Sequence, residues 1–188
     1  MMRTVAGIVL LLLAVCISCT EYTPKPRGYF RIEPDTPHYH LFSQEGLPIT
    51  FNISQLAIAV PEQSPKDITF SYPALNVKLY CSYLPITSLT LSEVAEECRT
   101  LVARQSKNVS AVKEQAYSNP EELVYGALFL LDEESASPVQ FMLTDSVSRF
   151  FRGALYYNCI PNADSLAPVT QYMKQDILEL IQSFRWKK

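Results

Sequence analysis

Apolar positions recur along this chain in several rhythms, and each rhythm predicts a different element. Residues 5–15 are almost continuously apolar and follow a lone Arg3. A run of about a dozen is too short to cross a hydrocarbon core, which needs about 20 apolar residues, and it fits the h-region of a secretory leader. Over residues 20–40 the rhythm is lost. Pro24, Pro26, Pro34 and Pro37 forbid a helix there and favour an extended path. Residues 41–70 read as short strands punctuated by Pro48, Pro61 and Pro65, with Ile49–Ile53 alternating and residues 56–60 a short buried run. Leu75, Val77, Leu79 and Cys81 then mark a period-two strand.

The period next changes to three and four. Leu91, Val94, Ala95, Cys98, Leu101 and Val102 form one stripe of a helix over 90–105, capped by Thr90 or Ser92. Strands follow at 109–117, 122–131, 138–144 and 148–159, joined by short turn-rich linkers that favour an antiparallel meander. Residues 123–131 are apolar on both faces, so that strand belongs inside the sheet with cover on both sides. A last helix carries Val169, Met173, Ile177, Leu180, Ile181 and Phe184 on one face, and Arg185, Lys187 and Lys188 suit its C-terminal dipole. The order predicts an α+β fold, an antiparallel β-sheet sandwich with two packed amphipathic helices.

The end of the first apolar run decides how the chain is divided. It closes on Cys16-Ile17-Ser18-Cys19 and turns polar at once. A small residue directly before a cysteine at this point resembles a bacterial lipoprotein processing site. That implies a diacylglyceryl thioether on Cys19, cleavage before it, and acylation of the new amino terminus. Cys16 is the alternative acceptor, with bulky Val15 before it, and a plain secretory leader or an uncleaved anchor is the third reading. The expected organisation is a leader at 1–18, a lipid-anchored, proline-rich basic tether at 19–40, and one globular domain at 41–188.

Composition adds less. Loss of the leader leaves 170 of 188 residues, enough for one domain with a substantial core. The chain has 16 basic and 19 acidic residues and a net charge of −3, which gives no sign of nucleic acid as a partner. With Cys19 acylated, Cys81, Cys98 and Cys159 remain, and no CxxC spacing suggests zinc. Cys98 falls in phase with a helix stripe and reads as a core thiol. Cys81 and Cys159 each close an apolar strand and are the candidate disulfide.

No pattern announces catalysis. His38 and His40 face one way in an extended segment, but no third metal ligand accompanies them. Asp145-Ser146 lacks a nearby base and reads as a turn in which Asp145 caps its own backbone. Glu96-Glu97 reads as a solvated helix flank, and Asp132-Glu133-Glu134 as an acidic turn. No phosphate-binding loop, dinucleotide fingerprint, GxSxG or HExxH is present. Neither a catalytic residue nor a metal site is expected, and no cofactor beyond the lipid on Cys19. The tether is richer. Lys25, Arg27 and Arg31 interleave with Tyr22, Tyr29 and Phe30. It is either a spacer whose last residues dock as an edge segment, or a site where Lys25, Arg27, Tyr29 and Arg31 meet lipid headgroups or a protein.

The string Tyr22-Thr23-Pro24-Lys25-Pro26-Arg27-Gly28-Tyr29-Phe30-Arg31-Ile32, directly after Cys19, closely resembles the opening of the GldD family of gliding-motility lipoproteins. Tyr72-Pro73, Tyr80-Cys81-Ser82-Tyr83, Phe141-Met142-Leu143-Thr144-Asp145-Ser146, Phe150-Phe151-Arg152-Gly153-Ala154-Leu155-Tyr156-Tyr157 and Ser183-Phe184-Arg185-Trp186 resemble it too. The resemblance implies a non-catalytic, lipid-anchored envelope component of the gliding and type IX secretion machinery, with other envelope proteins as partners. The order helix, meander, helix is similar to the PsbP and Mog1 class of sandwiches, which speaks to fold alone. No acidic run follows Cys19, so the periplasmic face is expected over cell-surface display; the expected membrane is the outer one, though the sequence itself leaves inner against outer open. The alternative function is a lipoprotein that carries a small ligand or lipid between the sandwich layers.

Overall fold

Along Val77–Pro85 and Arg149–Tyr157 alternate side chains point to opposite faces, and on these two strands the molecule is built. They pair antiparallel over their whole length, Val77 opposite Tyr157 and Pro85 opposite Arg149. The computed structural model describes residues 36–187 except 88, 107–111, 132–134 and 160–162, and only the backbone of 163–165. In chain order the elements are β1 (Tyr39–Ser43), β2 (Ile49–Ser54), β3 (Ile58–Pro61), β4 (Asp67–Tyr72), β5 (Val77–Pro85), α1 (Leu91–Gln105), β6 (Lys113–Asn119), β7 (Val124–Leu130), β8 (Val139–Thr144), β9 (Arg149–Tyr157), α2 (Ala163–Ser183) and β10 (Arg185–Trp186). Tyr39 and His40, expected in the tether, therefore belong to the folded sheet.

A seven-stranded sheet runs β3-β4-β5-β9-β8-β7-β6, and a three-stranded sheet runs β1-β2-β10. Every pairing is antiparallel. The expected meander is present as β6 to β9. The inner face of the large sheet presents Leu79, Cys81, Leu128, Phe141, Leu143, Phe151 and Leu155 to one core. The small sheet, α2 and the residue after the helix cover it with Phe51, Ile53, Met173, Ile177 and Phe184. The outer face presents Ala127, Phe129, Met142 and Phe150 to a second, smaller core under Cys98 and Val102 of α1. The arrangement is thus an α+β sandwich, with helices on both faces of an antiparallel sheet. β7 is covered on both sides, as its sequence requires, although it lies one place in from the edge.

The inner core is closed by rings. Phe51 lies with its centroid 5.0 Å from Phe42, 5.8 Å from Phe70, 5.9 Å from Phe151 and 6.1 Å from Phe184. Close packing of this kind needs small residues opposite large ones. At Gly153 an added Cβ would lie 2.4 Å from the Phe141 ring and 3.2 Å from the Cys81 sulfur. At Gly126 it would lie 1.9 Å from the Met142 carbonyl oxygen.

Two expectations about the strands are corrected. Residues 56–60 do not form a buried run. Leu56, just before β3, and Ile58 and Val60 within it are 38, 56 and 40% exposed, and among the described residues β3 is the last strand of the sheet, paired with β4 alone. The closing helix also stops earlier than its apolar stripe suggests. The chain leaves α2 after Ser183, and Arg185 and Trp186 pair with Thr50 and Ile49 of β2. Arg185 still serves the helix end, since its Nη1 donates to the carbonyls of Gln182 and Phe184.

Candidate functional site

Cys19, its alternative Cys16, and the tether residues Lys25, Arg27, Tyr29 and Arg31 lie outside the described residues, as does Asp132-Glu133-Glu134. His38 and His40 are exposed at the first strand. Glu96 and Glu97 are exposed on α1, as a solvated flank should be. Asp145 is the turn cap it was read as: its Oδ1 accepts from the backbone N–H groups of Val147, Ser148 and Arg149 at 2.8–2.9 Å. Burial alone would raise this carboxyl, but those N–H groups and the Ser148 hydroxyl outweigh it and hold the group below the usual carboxylate range.

The Cys81–Cys159 disulfide is not formed. β5 continues past Cys81 to Pro85, so the apolar strand does not end there. Cys81 sits opposite Gly153, and β9 runs four residues further, to Tyr157, before Cys159 is reached. At about 3.3 Å per residue that is ~13 Å along the strand, against a Cα separation of about 7 Å that a disulfide tolerates. Cys81 is also buried on the inner face, whereas Cys159 is exposed. Burial pushes the Cys81 thiol well above its usual range, so it is an inert core group. Cys98 is buried as expected; burial raises its thiol, and the neighbouring Arg152 guanidinium partly offsets this.

Along the last turns of α1, a cleft of about 330 Å³ lies between the helix and strands β5, β7, β8 and β9. Its walls are largely aromatic and aliphatic, with Tyr80, Tyr156, Phe129 and Leu101 prominent. The rings of Tyr80 and Tyr156 meet edge to face at 5.6 Å. Among the described residues, Arg152 is the one charged residue lining the cleft. A polar chain runs beside it: Gln140 Nε2 donates to Gln105 Oε1 at 3.2 Å, and Gln105 Nε2 donates to the Tyr156 hydroxyl oxygen at 2.5 Å. None of these groups stood out in the sequence, because only the strand register brings them together.

A second polar group lies inside the main core. Asp176 sits on the apolar stripe of α2, three residues after Met173 and four before Leu180. Its carboxylate accepts the Tyr72 hydroxyl and, at 3.1 Å, the backbone N–H of Ser54. Ser54 and Tyr172 share a hydroxyl pair at 2.7 Å. Glu179, nearby on the same helix, accepts from Asn52 Nδ2 at 2.8 Å. This set ties α2 to the end of β2 and to β4. A carboxylic residue interrupting an apolar stripe was the sequence signal for it.

Burial raises the Asp176 carboxyl to about 6, with Tyr72 and the Ser54 N–H pulling down and Glu179 pushing up. Tyr39, on β1, also couples to Asp176. A carboxyl raised on folding destabilises the native state once it ionises. The cost is absent below its unfolded value, near 3.8, and complete above about pH 6. The gap corresponds to about 3 kcal/mol. In Asp176→Asn the amide can accept from Ser54 and donate to the Tyr72 oxygen without ionising. Denaturation curves from pH 4 to pH 7 should therefore show wild type losing up to about 3 kcal/mol relative to the variant. A constant difference would contradict this assignment.

A sequence profile described as gliding motility lipoprotein GldD matches residues 19–186, beginning at Cys19. The chain belongs to the GldD lipoprotein family. GldD proteins are non-catalytic lipoproteins associated with gliding motility and type IX secretion. Among the described residues no group of three His, Cys, Asp or Glu side chains could hold a metal, and no helix is long and apolar enough to cross a membrane. No curated protein matches the chain. Among solved structures, the solution structure of cyanobacterial PsbP (CyanoP) from Synechocystis sp. PCC 6803 is similar, with a TM-score of 0.50 and 13% identity over 80% of this chain and 94% of that one. At that identity the likeness shows the fold alone, and it agrees with the PsbP-like sandwich expected of this GldD protein.

Proposed function

We propose that this GldD protein is a lipid-anchored, non-enzymatic accessory of the gliding and type IX secretion apparatus. It would hold a rigid sandwich near the outer membrane, on the periplasmic side, and present a surface to other envelope proteins. The profile match starting at Cys19 carries the reading. It begins at the residue expected to bear lipid and runs through the tether into the folded body. From Cys19 to Arg31 the chain reaches at most about 40 Å, so Lys25, Arg27 and Arg31 stay near the headgroups or near a partner seated there. On an anionic surface each is worth about 1 kcal/mol.

The sheet edges support a protein-binding role. β6 is polar and charged, which guards an edge against pairing. β3 is short but apolar, with Ile58 and Val60 exposed and one side of its backbone unpaired among the described residues. Such an edge suits a partner that contributes an extended segment.

Replacement of Lys25, Arg27 and Arg31 together by glutamine tests the tether. We expect crosslinking in native envelopes to lose its motility and secretion partners, with protein level and membrane retention unchanged. Unaltered crosslinks together with unaltered motility or secretion would reduce the tether to a spacer.

A further inference from the structure

The cleft along the last turns of α1 has no part in anchoring or in the edge surface, yet it has the makings of a ligand site. Its volume of about 330 Å³ is at the small end of the ~300–1,000 Å³ typical of ligand pockets. That suits a compact acid and excludes a diacyl lipid. Its walls are largely apolar and aromatic, with Arg152, Gln105, Gln140 and Tyr156 among the polar residues that line it. Arg152 is half-buried on β9, lines the cleft, and forms no ion pair with any carboxylate among the described residues. Three other arginines are already paired: Arg99, Arg149 and Arg185 are bound to Glu114, Asp145 and Glu122. The Tyr156 oxygen already accepts from Gln105, so its own O–H is left to donate. Gln105 is held in turn by Gln140, which is itself buried.

We propose that this cleft binds a small organic monoanion, a carboxylate on an aromatic or short aliphatic body. The carboxylate would be held by the Arg152 guanidinium and the Tyr156 hydroxyl, and the body would lie among Tyr80, Leu101, Val102 and Phe129. A single arginine balances one negative charge, whereas a doubly charged phosphate would leave charge uncompensated in a half-buried site. Arg supplies paired donors in the plane that a carboxylate presents. The tyrosine edges and Phe129 give the body its apolar contact.

Phenylacetate and its neutral analogue phenylacetamide are suitable probes because they have nearly the same shape and differ in charge. Equilibrium dialysis against the full lipidated chain in zwitterionic nanodiscs, with empty nanodiscs as the blank, measures both. Phenylacetate should bind saturably and at least tenfold more tightly than the amide. Arg152→Gln should abolish that preference, and Tyr156→Phe should weaken phenylacetate about threefold or more. Both side chains lie on the half-exposed outer face, so the thermal midpoint should stay within a few degrees and serves as the check on folding. Equal binding of the two probes, no saturable binding of phenylacetate, or a preference that survives Arg152→Gln in the folded variant would each overturn the proposal.

Discussion

Phe51→Ala is expected to lower the unfolding free energy by about 3–5 kcal/mol, a large share of the roughly 5–15 kcal/mol that holds a domain together. Phe51 is fully buried and is the ring through which the small sheet meets the large one. It touches Phe42 of β1, Phe70 of β4, Phe151 of β9 and Phe184 after α2. Truncation removes the apolar burial and the ring contacts, and it leaves a cavity walled by rigid aromatics that cannot close over it. Leu41→Ala is the comparison on the neighbouring strand. Leu41 is 65% exposed, and its loss should change stability by less than about 0.5 kcal/mol. Urea midpoints of the two variants measure the contrast. Equal midpoints would mean that the two sheets do not depend on this contact.

The second large effect is on location. Cys19→Ala should move the protein from the membrane pellet to the soluble envelope fraction and remove metabolic labelling by a palmitate analogue, with Cys16 intact. The physical basis is additive burial of acyl carbons, each CH₂ worth roughly 0.8 kcal/mol, with more than one chain needed for stable retention. The described residues offer no substitute, since none of their helices is long and apolar enough to span a bilayer. Retained label in Cys19→Ala that disappears in Cys16→Ala would move the anchor three residues upstream.

Local pattern made much of this architecture legible. The alternation in 75–81, the three-four stripe in 90–105 and the short linkers of the meander each report an element whose partners are near in sequence. Asp145 was readable for the same reason, because its acceptors serve the next few residues. What local pattern does not carry is which neighbour arrives from far away. Residues 56–60 looked buried because apolar residues bounded by prolines suit an interior strand equally well as an unshielded edge. Cys81 and Cys159 look paired because each closes an apolar run in the sequence, but β5 continues past Cys81 and the β5–β9 register separates the two. The two-residue β10 exists only because β2, more than 130 residues earlier, offers it an edge. The cleft is likewise assembled from β5, α1, β7, β8 and β9, and Arg152 stands out only once its neighbours among the described residues prove to include no carboxylate partner.

Asp176 lies between these cases. Its position on the stripe was visible, but its meaning depended on Tyr72 and Ser54, which come from the other layer. The comparison with Cys98 is instructive. Both lie on an apolar face, but the thiol packs as a small hydrophobe, while the carboxyl requires donors brought to it.

The central claim is that acyl chains on the mature amino terminus tie this sandwich to the envelope. Mass spectrometry of the N-terminal peptide of the native protein tests it most directly. The account predicts a peptide that starts at Cys19 and carries a diacylglyceryl thioether with an acylated amino group. A peptide that starts elsewhere, or at Cys19 with no fatty acid, would contradict it.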